Sequence, residues 1–272
     1  MTALRSFPIT RVDAFADRPF AGNPAAVMPL EEWPADTVLQ AMAAENNLAE
    51  TAFLVPDESG ESDYELRWFT PTVEVALCGH ATLASGHVLL SAAAWRNEMR
   101  FRTRKAGMLQ VARNGDDEGY RMELPAYRAA AKPLPDAAHA MGGDVVETLW
   151  HDGGYALIVY RSAEAVRALA PDLAVLGEQN ILYIATAPGT GDPSGADVVS
   201  RVFAPGAGIP EDPVTGSAHS VLAPYWATRF GRDDFAAYQA SERGGHVGCK
   251  LIGDHVELTG RCVTTLVGEF LI

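Results

Sequence analysis

Short runs in which apolar and polar residues alternate, rich in β-branched and aromatic side chains, predict strands over residues 9–15, 51–55, 64–69, 99–103, 109–114 and 120–124. Between the first two, residues 35–45 carry a helical pattern, with Pro34 near its first turn and Asn46-Asn47 as its stop. The stretch LPAYRAAAKPLPD, residues 124–136, holds three prolines and no periodicity, which places a domain boundary between Arg128 and Ala129. Strand patterns resume at 156–160, 181–186, 198–203, 246–252, 256–259 and 264–272, with a helix at 163–169.

Two stretches depart from this alternation. Residues 75–95 contain no Asp, Glu, Lys or Arg for 21 positions, and PVTGSAHSVLAPYWAT, residues 213–228, is likewise uncharged. The first is long enough to span a bilayer, but Gly79, His80, Thr82, Ser85, Gly86, His87 and Ser91 make it too polar for hydrocarbon. Both read better as helices that are apolar on nearly all sides because they lie inside the protein. Each follows a matching signature: Phe69-Thr-Pro71 then Cys78-Gly-His-Ala81 in the first half, Phe203-Ala-Pro205 then Thr215-Gly-Ser-Ala218 in the second. The Pro-to-Gly spacings of eight and eleven positions put a three-residue insertion around residues 206–210. This is the pattern of an internal repeat. A helix without a polar face, in a half made mainly of strands, is best buried by wrapping the sheet around it. The expected fold class is therefore α+β, with two similar domains, 1–128 and 129–272, and a cleft between them. Each is a curled, mostly antiparallel sheet around a central buried helix, and the final strand is free to pack on the first domain. Pro224 should kink the second helix or mark its irregular end.

Charge narrows the partners. Lys+Arg 21 against Asp+Glu 35 leaves a formal net charge of −14, which repels polyanions, so nucleic acid and anionic membrane are poor partners. Three widely spaced cysteines, Cys78, Cys249 and Cys262, form neither a disulfide framework nor a CxxC zinc motif, and fit a reducing cytoplasm. Met1 to Arg18 shows no apolar core of a signal peptide.

Candidate chemistry collects at the starts of the two uncharged helices. Gly79 and Gly216 sit where chain turns into helix, and the first-turn N–H groups there lack intrahelical partners, so each start suits an anion such as a small carboxylate substrate. Tightening of a strand-to-helix turn explains the same glycines. Glu50, at the mouth of an apolar strand, shares a face with Ala52 and Leu54 by alternation. Pointing inward, its carboxyl would have a raised pKa and could act as a general acid/base; pointing outward, it is a solvated strand end. His80 at a helix start is expected to have a depressed pKa, or to be an ordinary buried histidine. Asp212 reads as a catalytic polar group or a turn and cap residue, and Ser217 as a hydrogen-bond donor or a helix cap. Cys78 is either an activated thiol at a helix N-terminus or a small buried hydrophobe; its counterpart is Thr215, which argues against a symmetric two-thiol mechanism. Residues 189–195 read as a hairpin loop rather than a dinucleotide loop, no metal-ligand spacing involves the seven histidines, and Gly-x-Ser-x-Gly is absent.

Several motifs occur in order. They are Val12-Asp-Ala-Phe15, Arg18-Pro-Phe-Ala-Gly22-Asn23-Pro24, Asn47-Leu-Ala-Glu50-Thr-Ala-Phe53, Phe69-Thr-Pro71 with Cys78-Gly-His-Ala-Thr82, and Glu211-Asp-Pro-Val-Thr-Gly-Ser-Ala-His219. Weaker similarity continues at Gln239, Arg243, Gly245 and Gly260. Jointly the chain resembles the PhzF-like phenazine-biosynthesis isomerase family. That resemblance implies a diaminopimelate-epimerase-like fold, an active site in the cleft, a homodimer, and proton transfer at carbon without cofactor or metal. It places the acid/base at Glu50, its helpers at His80, Asp212 and Ser217, and substrate-binding positions at Asn23, Gly79 and Gly216. The implied activity is an isomerase moving a proton between carbons of a small carboxylate-containing metabolite. Cys78 stands where related racemases and epimerases place a catalytic thiol, so a Cys78-dependent racemase or epimerase of an amino or hydroxy acid is the alternative. A non-catalytic metabolite-binding homodimer is the third.

Overall fold

A computed structural model describes residues 5–115 and 119–272. The chain divides into two compact units, Met1–Glu123 with Thr259–Ile272, and Leu124–Leu258.

The first unit runs β1 (Ser6–Ala14), β2 (Asn23–Pro29), α1 (Asp36–Asn46), β3 (Glu50–Pro56), β4 (Tyr64–Phe69), β5 (Glu74–Val75), α2 (Gly79–Ala92), β6 (Glu98–Thr103), β7 (Met108–Arg113) and β8 (Tyr120–Pro125). The second runs β9 (Ala130–Ala131), α3 (Pro135–Met141), β10 (Val145–His151), β11 (Tyr155–Tyr160), α4 (Ala163–Arg167), α5 (Leu173–Leu176), β12 (Leu182–Pro188) and β13 (Val198–Ala204). It continues through β14 (Ile209–Asp212), α6 (Gly216–Phe230), β15 (Asp234–Gln239), β16 (Gly245–Ile252) and β17 (His255–Gly260). The closing strand β18 (Cys262–Leu271) returns to the first unit and pairs antiparallel with β1.

Strand pairing repeats between the units. In the first, β1/β2 is antiparallel, β2/β3 parallel, β3/β4 antiparallel, β4/β6 parallel and β6/β7 antiparallel, with β5 on β4. In the second, β10/β11, β11/β12, β12/β13, β13/β15 and β15/β16 follow the same alternation, with β14 on β13. The repeat read from short motifs is thus carried by the whole order of strands.

The two uncharged helices are the buried ones. Every residue of α2 from Gly79 to Gly86 is buried, and a Cβ on Gly86 would lie 2.3 Å from Val111 Cγ1 of β7, so only glycine admits so close an approach. On the other face of the first sheet, Leu39 and Met42 of α1 pack over Met28, Phe53 and Phe69. Alternation along β3 therefore sends Phe53 and Val55 towards α1, and Glu50, Ala52 and Leu54 to the opposite face. Asn47 ends α1 in the left-handed region at φ 47°.

Pro224 does not break α6, which continues to Phe230. The missing N–H leaves the Ser220 carbonyl without its helical donor, and the backbone N–H of Tyr127 supplies one at 2.9 Å. Strands β2, β5, β9, β10, β14 and β15 and helices α3 and α5 lie outside the predicted elements. NPAAVMP in β2 is paired on both edges and buried along nearly its whole length, so it shows no alternation to read. Among the described residues, no helix is long and apolar enough to cross a membrane.

Candidate active site

In the first unit, three elements bring one cluster together. β2 begins at Asn23, β3 begins at Glu50, and α2 begins at Gly79 with Cys78 as its N-cap. All of these side chains are buried: Asn23 is 0% exposed, Glu50 8%, Cys78 6% and His80 4%. His80 Nε2 lies 3.1 Å from Glu50 Oε2. The approach is a close charge contact outside aligned hydrogen-bond geometry, and neither of those two atoms has another hydrogen-bond partner. On the other side of the ring, Nδ1 meets the Asn23 amide nitrogen at 3.2 Å and Cys78 Sγ at 3.5 Å.

Charge states follow from this packing. Burial first, and the Glu50 charge second, push the Cys78 thiol up to about 11, so it keeps its proton at neutral pH. For His80, burial opposes the imidazolium, but the Cys78 sulfur and the Glu50 carboxylate favour it more, and its pKa is raised well above the ordinary histidine value. Of the two, the Cys78 sulfur is the larger contribution and the Glu50 carboxylate the second. The depressed pKa expected from the helix dipole is overturned, because a full charge at contact distance outweighs a partial one.

The second unit holds a polar cluster at the start of α6. Buried Asp212 ends β14 and accepts a hydrogen bond at Oδ2 from the Thr215 hydroxyl. Gln239, fully buried at the end of β15, clamps this corner. Its Oε1 accepts the Thr215 N–H at 2.9 Å, while its Nε2 donates to the Asp212 carbonyl at 2.7 Å and to Thr215 Oγ1 at 3.2 Å. The hydroxyl of N-cap Thr215 is thus spent on Asp212, and like Cys78 before α2 it makes no side-chain cap to its own helix. Half-buried Ser217 engages Tyr155, whose phenol is raised by burial against the effect of that hydrogen bond. Tyr127 stacks on His151 at 4.7 Å and lies 5.5 Å from Tyr155, giving an aromatic group beside Ser217.

The seven predicted site residues therefore fall into two sets: Asn23, Glu50, Gly79 and His80 in the first unit, and Asp212, Gly216 and Ser217 in the second. Matching the registers shows what each unit lacks. Thr51 faces Phe69 as Tyr183 faces Phe203, so the counterpart of Glu50 is Leu182. Trp68 faces Val75 as Val202 faces Asp212, so the counterpart of Asp212 is Val75. Each carboxylate is a departure from the repeat. Sequence reasoning passed over the Tyr127–His151–Tyr155 group and the clamping role of Gln239, which sits on a strand that its pattern did not reveal. It also found no metal-ligand spacing. The fold nevertheless places one donor atom each of Glu50, Cys78 and His80 within 4.8 Å of one another, because Glu50 arrives from a different element.

A mostly antiparallel sheet curled around a buried helix, repeated in both units, defines the diaminopimelate-epimerase-like fold class. The profile of the phenazine biosynthesis-like protein family matches residues 12–268, and the chain belongs to that family. It is 45% identical over 262 residues to an uncharacterized isomerase of Pseudomonas aeruginosa, covering 96% of this chain and 97% of the relative. The crystal structure of a PhzF-family phenazine biosynthesis protein from Enterococcus faecalis superposes with a TM-score of 0.89 at 38% identity, over 98% of this chain and 100% of that one. A hydroxyproline epimerase from Agrobacterium vitis shares the fold at a TM-score of 0.64 and 14% identity, over 98% of this chain and 93% of that one.

Proposed function

We propose that the protein is an isomerase that moves a proton between carbons of a small carboxylate-containing metabolite, with Glu50 as the acid/base and neither cofactor nor metal taking part. The observation that carries this reading is the buried Glu50–His80 contact at 3.1 Å. The isomerase name of the Pseudomonas relative supports the reaction class.

Abstraction of a proton from carbon needs a positioned base in a dry site and a donor for the charge that develops. Glu50 is nine-tenths buried, with the His80 ring 3.1 Å from its carboxylate. Once Glu50 has taken the proton, the imidazolium beside it faces an anionic intermediate and stabilises it. Glu50, whose carboxyl proton exchanges with solvent while it is held, then protonates a second carbon. Asn23 and Gly79 bind substrate in the first unit. Asp212 and Ser217 act as polar helpers from the second, and Gly216 opens a helix start whose cap residue leaves its N–H groups for a carboxylate.

The repeat supports one acid/base rather than a symmetric pair, since Glu50 is answered by Leu182 and Cys78 by Thr215. A thiol at about 11 is ionised in roughly one molecule in ten thousand at neutral pH, which disfavours Cys78 as the base. We read the assembled form as a homodimer, supported by β18, where Leu266, Val267 and Leu271 are 49%, 77% and 56% exposed.

NMR screening of small cyclic and acyclic carboxylates in D2O for enzyme-dependent C–H exchange tests the reading. Glu50→Gln should lower exchange by about a hundredfold or more, while Cys78→Ala keeps most of it. The reverse pattern, with loss on thiol alkylation, establishes the racemase alternative. Ligand binding without any exchange in the wild type leaves a binding protein.

A further inference from the structure

We propose that Glu50, Cys78 and His80 form a binding site for a zinc-class divalent cation, and that occupancy switches the protein off. Carboxylate, thiolate and imidazole are the ligand types that tetrahedral Zn2+ accepts. One donor atom from each lies within 4.8 Å of the other two. An edge of a coordination tetrahedron is nearly in place on either side of the ring, Cys78 Sγ to His80 Nδ1 at 3.5 Å or Glu50 Oε2 to His80 Nε2 at 3.1 Å, and an ion on one nitrogen has the third donor within 4.8 Å. With Zn–S about 2.3 Å and Zn–N or Zn–O about 2.0–2.1 Å, such edges measure about 3.6 and 3.3 Å. The ring contributes whichever nitrogen the ion selects, and selection of Nδ1 ends its contact with Asn23.

A second observation points to a ligand at the same place. Glu50 Oε2 and His80 Nε2 are buried and meet only each other, as a charge contact without an aligned hydrogen bond. Two polar atoms in that state carry a desolvation cost that a cation seated on them would offset. Charge balance fits as well. On binding, the thiol and the imidazolium each release a proton to solvent, and carboxylate plus thiolate then neutralise the divalent ion, so no net charge is buried. Three protein ligands leave the fourth position to water.

The inhibitory half of the proposal rests on Glu50 being the acid/base, since a coordinated carboxylate cannot take a proton; the binding half does not. Co2+ titrated into the intact protein without substrate should produce a thiolate-to-metal charge-transfer band that saturates at one equivalent and is displaced by Zn2+. Cys78→Ser should abolish the band, Glu50→Gln should weaken Co2+ binding more than about tenfold, and Cys249→Ala should change neither. A wild type without the band, or a band that survives Cys78→Ser, overturns the site. Independently, one equivalent of Zn2+ should stop solvent-deuterium exchange and EDTA should restore it. Full exchange with the ion bound overturns the switch while leaving the site intact. Absence of exchange under every condition would count against the isomerase reading and not against the metal.

Discussion

His219 carries a charge that folding suppresses. Its ring is fully buried on α6, its Nδ1 donates to the Thr215 carbonyl at 2.8 Å, and its Nε2 meets no donor. Burial, only partly opposed by the Thr215 bond, lowers its pKa from 6.5 to about 4. The unfolded chain therefore takes up a proton in a range where the native protein does not. Stability from this group is complete above the unfolded pKa and is lost as pH falls from about 6.5 towards about 4, below which both states are protonated. A gap of about 2.5 pH units corresponds to about 3 kcal/mol in all, of which about 2 kcal/mol is gone by pH 5. His219→Leu removes the titrating ring and keeps an apolar side chain of similar size. Urea denaturation of both proteins at pH 7, 6 and 5, followed by tryptophan fluorescence, isolates the term, because the other titrating groups are common to both. The stability of the wild type relative to the variant should fall by about 2 kcal/mol between pH 7 and 5. A difference that stays constant over that range refutes the buried, neutral histidine.

Gly86→Ala forces a methyl group to within 2.3 Å of Val111 and should destabilise by about 1–3 kcal/mol in denaturant titration. Val111→Ala in the same chain should recover a large part of that loss; an additive double mutant would show that the clash lies elsewhere. Val267→Glu places a charge on the most exposed apolar residue of β18, and on the proposed homodimer reading light scattering should report a dimer for the wild type and a monomer for the variant. A mass unchanged by the substitution removes β18 as the interface.

Local signals were enough where one face of an element is buried and the other is not, or where an element has no polar face at all. Strand β4 was read to the residue, 64–69, and the uncharged runs marked α2 and α6 as interior helices. Alternation vanished where a strand is buried on both faces, as in β2. Pro224 does not end α6, for a related reason. The donor for the Ser220 carbonyl lies 93 positions upstream at Tyr127, so the intact helix depends on a contact that no local pattern describes.

The candidate site shows the same division. Residue types and spacing singled out Glu50, His80, Asp212 and Ser217, because small residues at a helix start and a carboxylate at a strand mouth are visible in one dimension. What these groups do chemically was left to the fold. Setting β3 beside α2 brings the Glu50 carboxylate 3.1 Å from His80, whose pKa is raised rather than depressed, while burial in the same corner pushes the Cys78 thiol up. Gln239, unremarkable in sequence, clamps Asp212 and Thr215 only because β15 ends beside the start of α6. The sequence alone determined the repeat, the two buried helices and the negative balance of charge, since these follow from composition and period. Tertiary structure decided protonation, hydrogen-bond partners and the three-donor cluster, because electrostatic and coordination energies depend on distances between residues far apart along the chain.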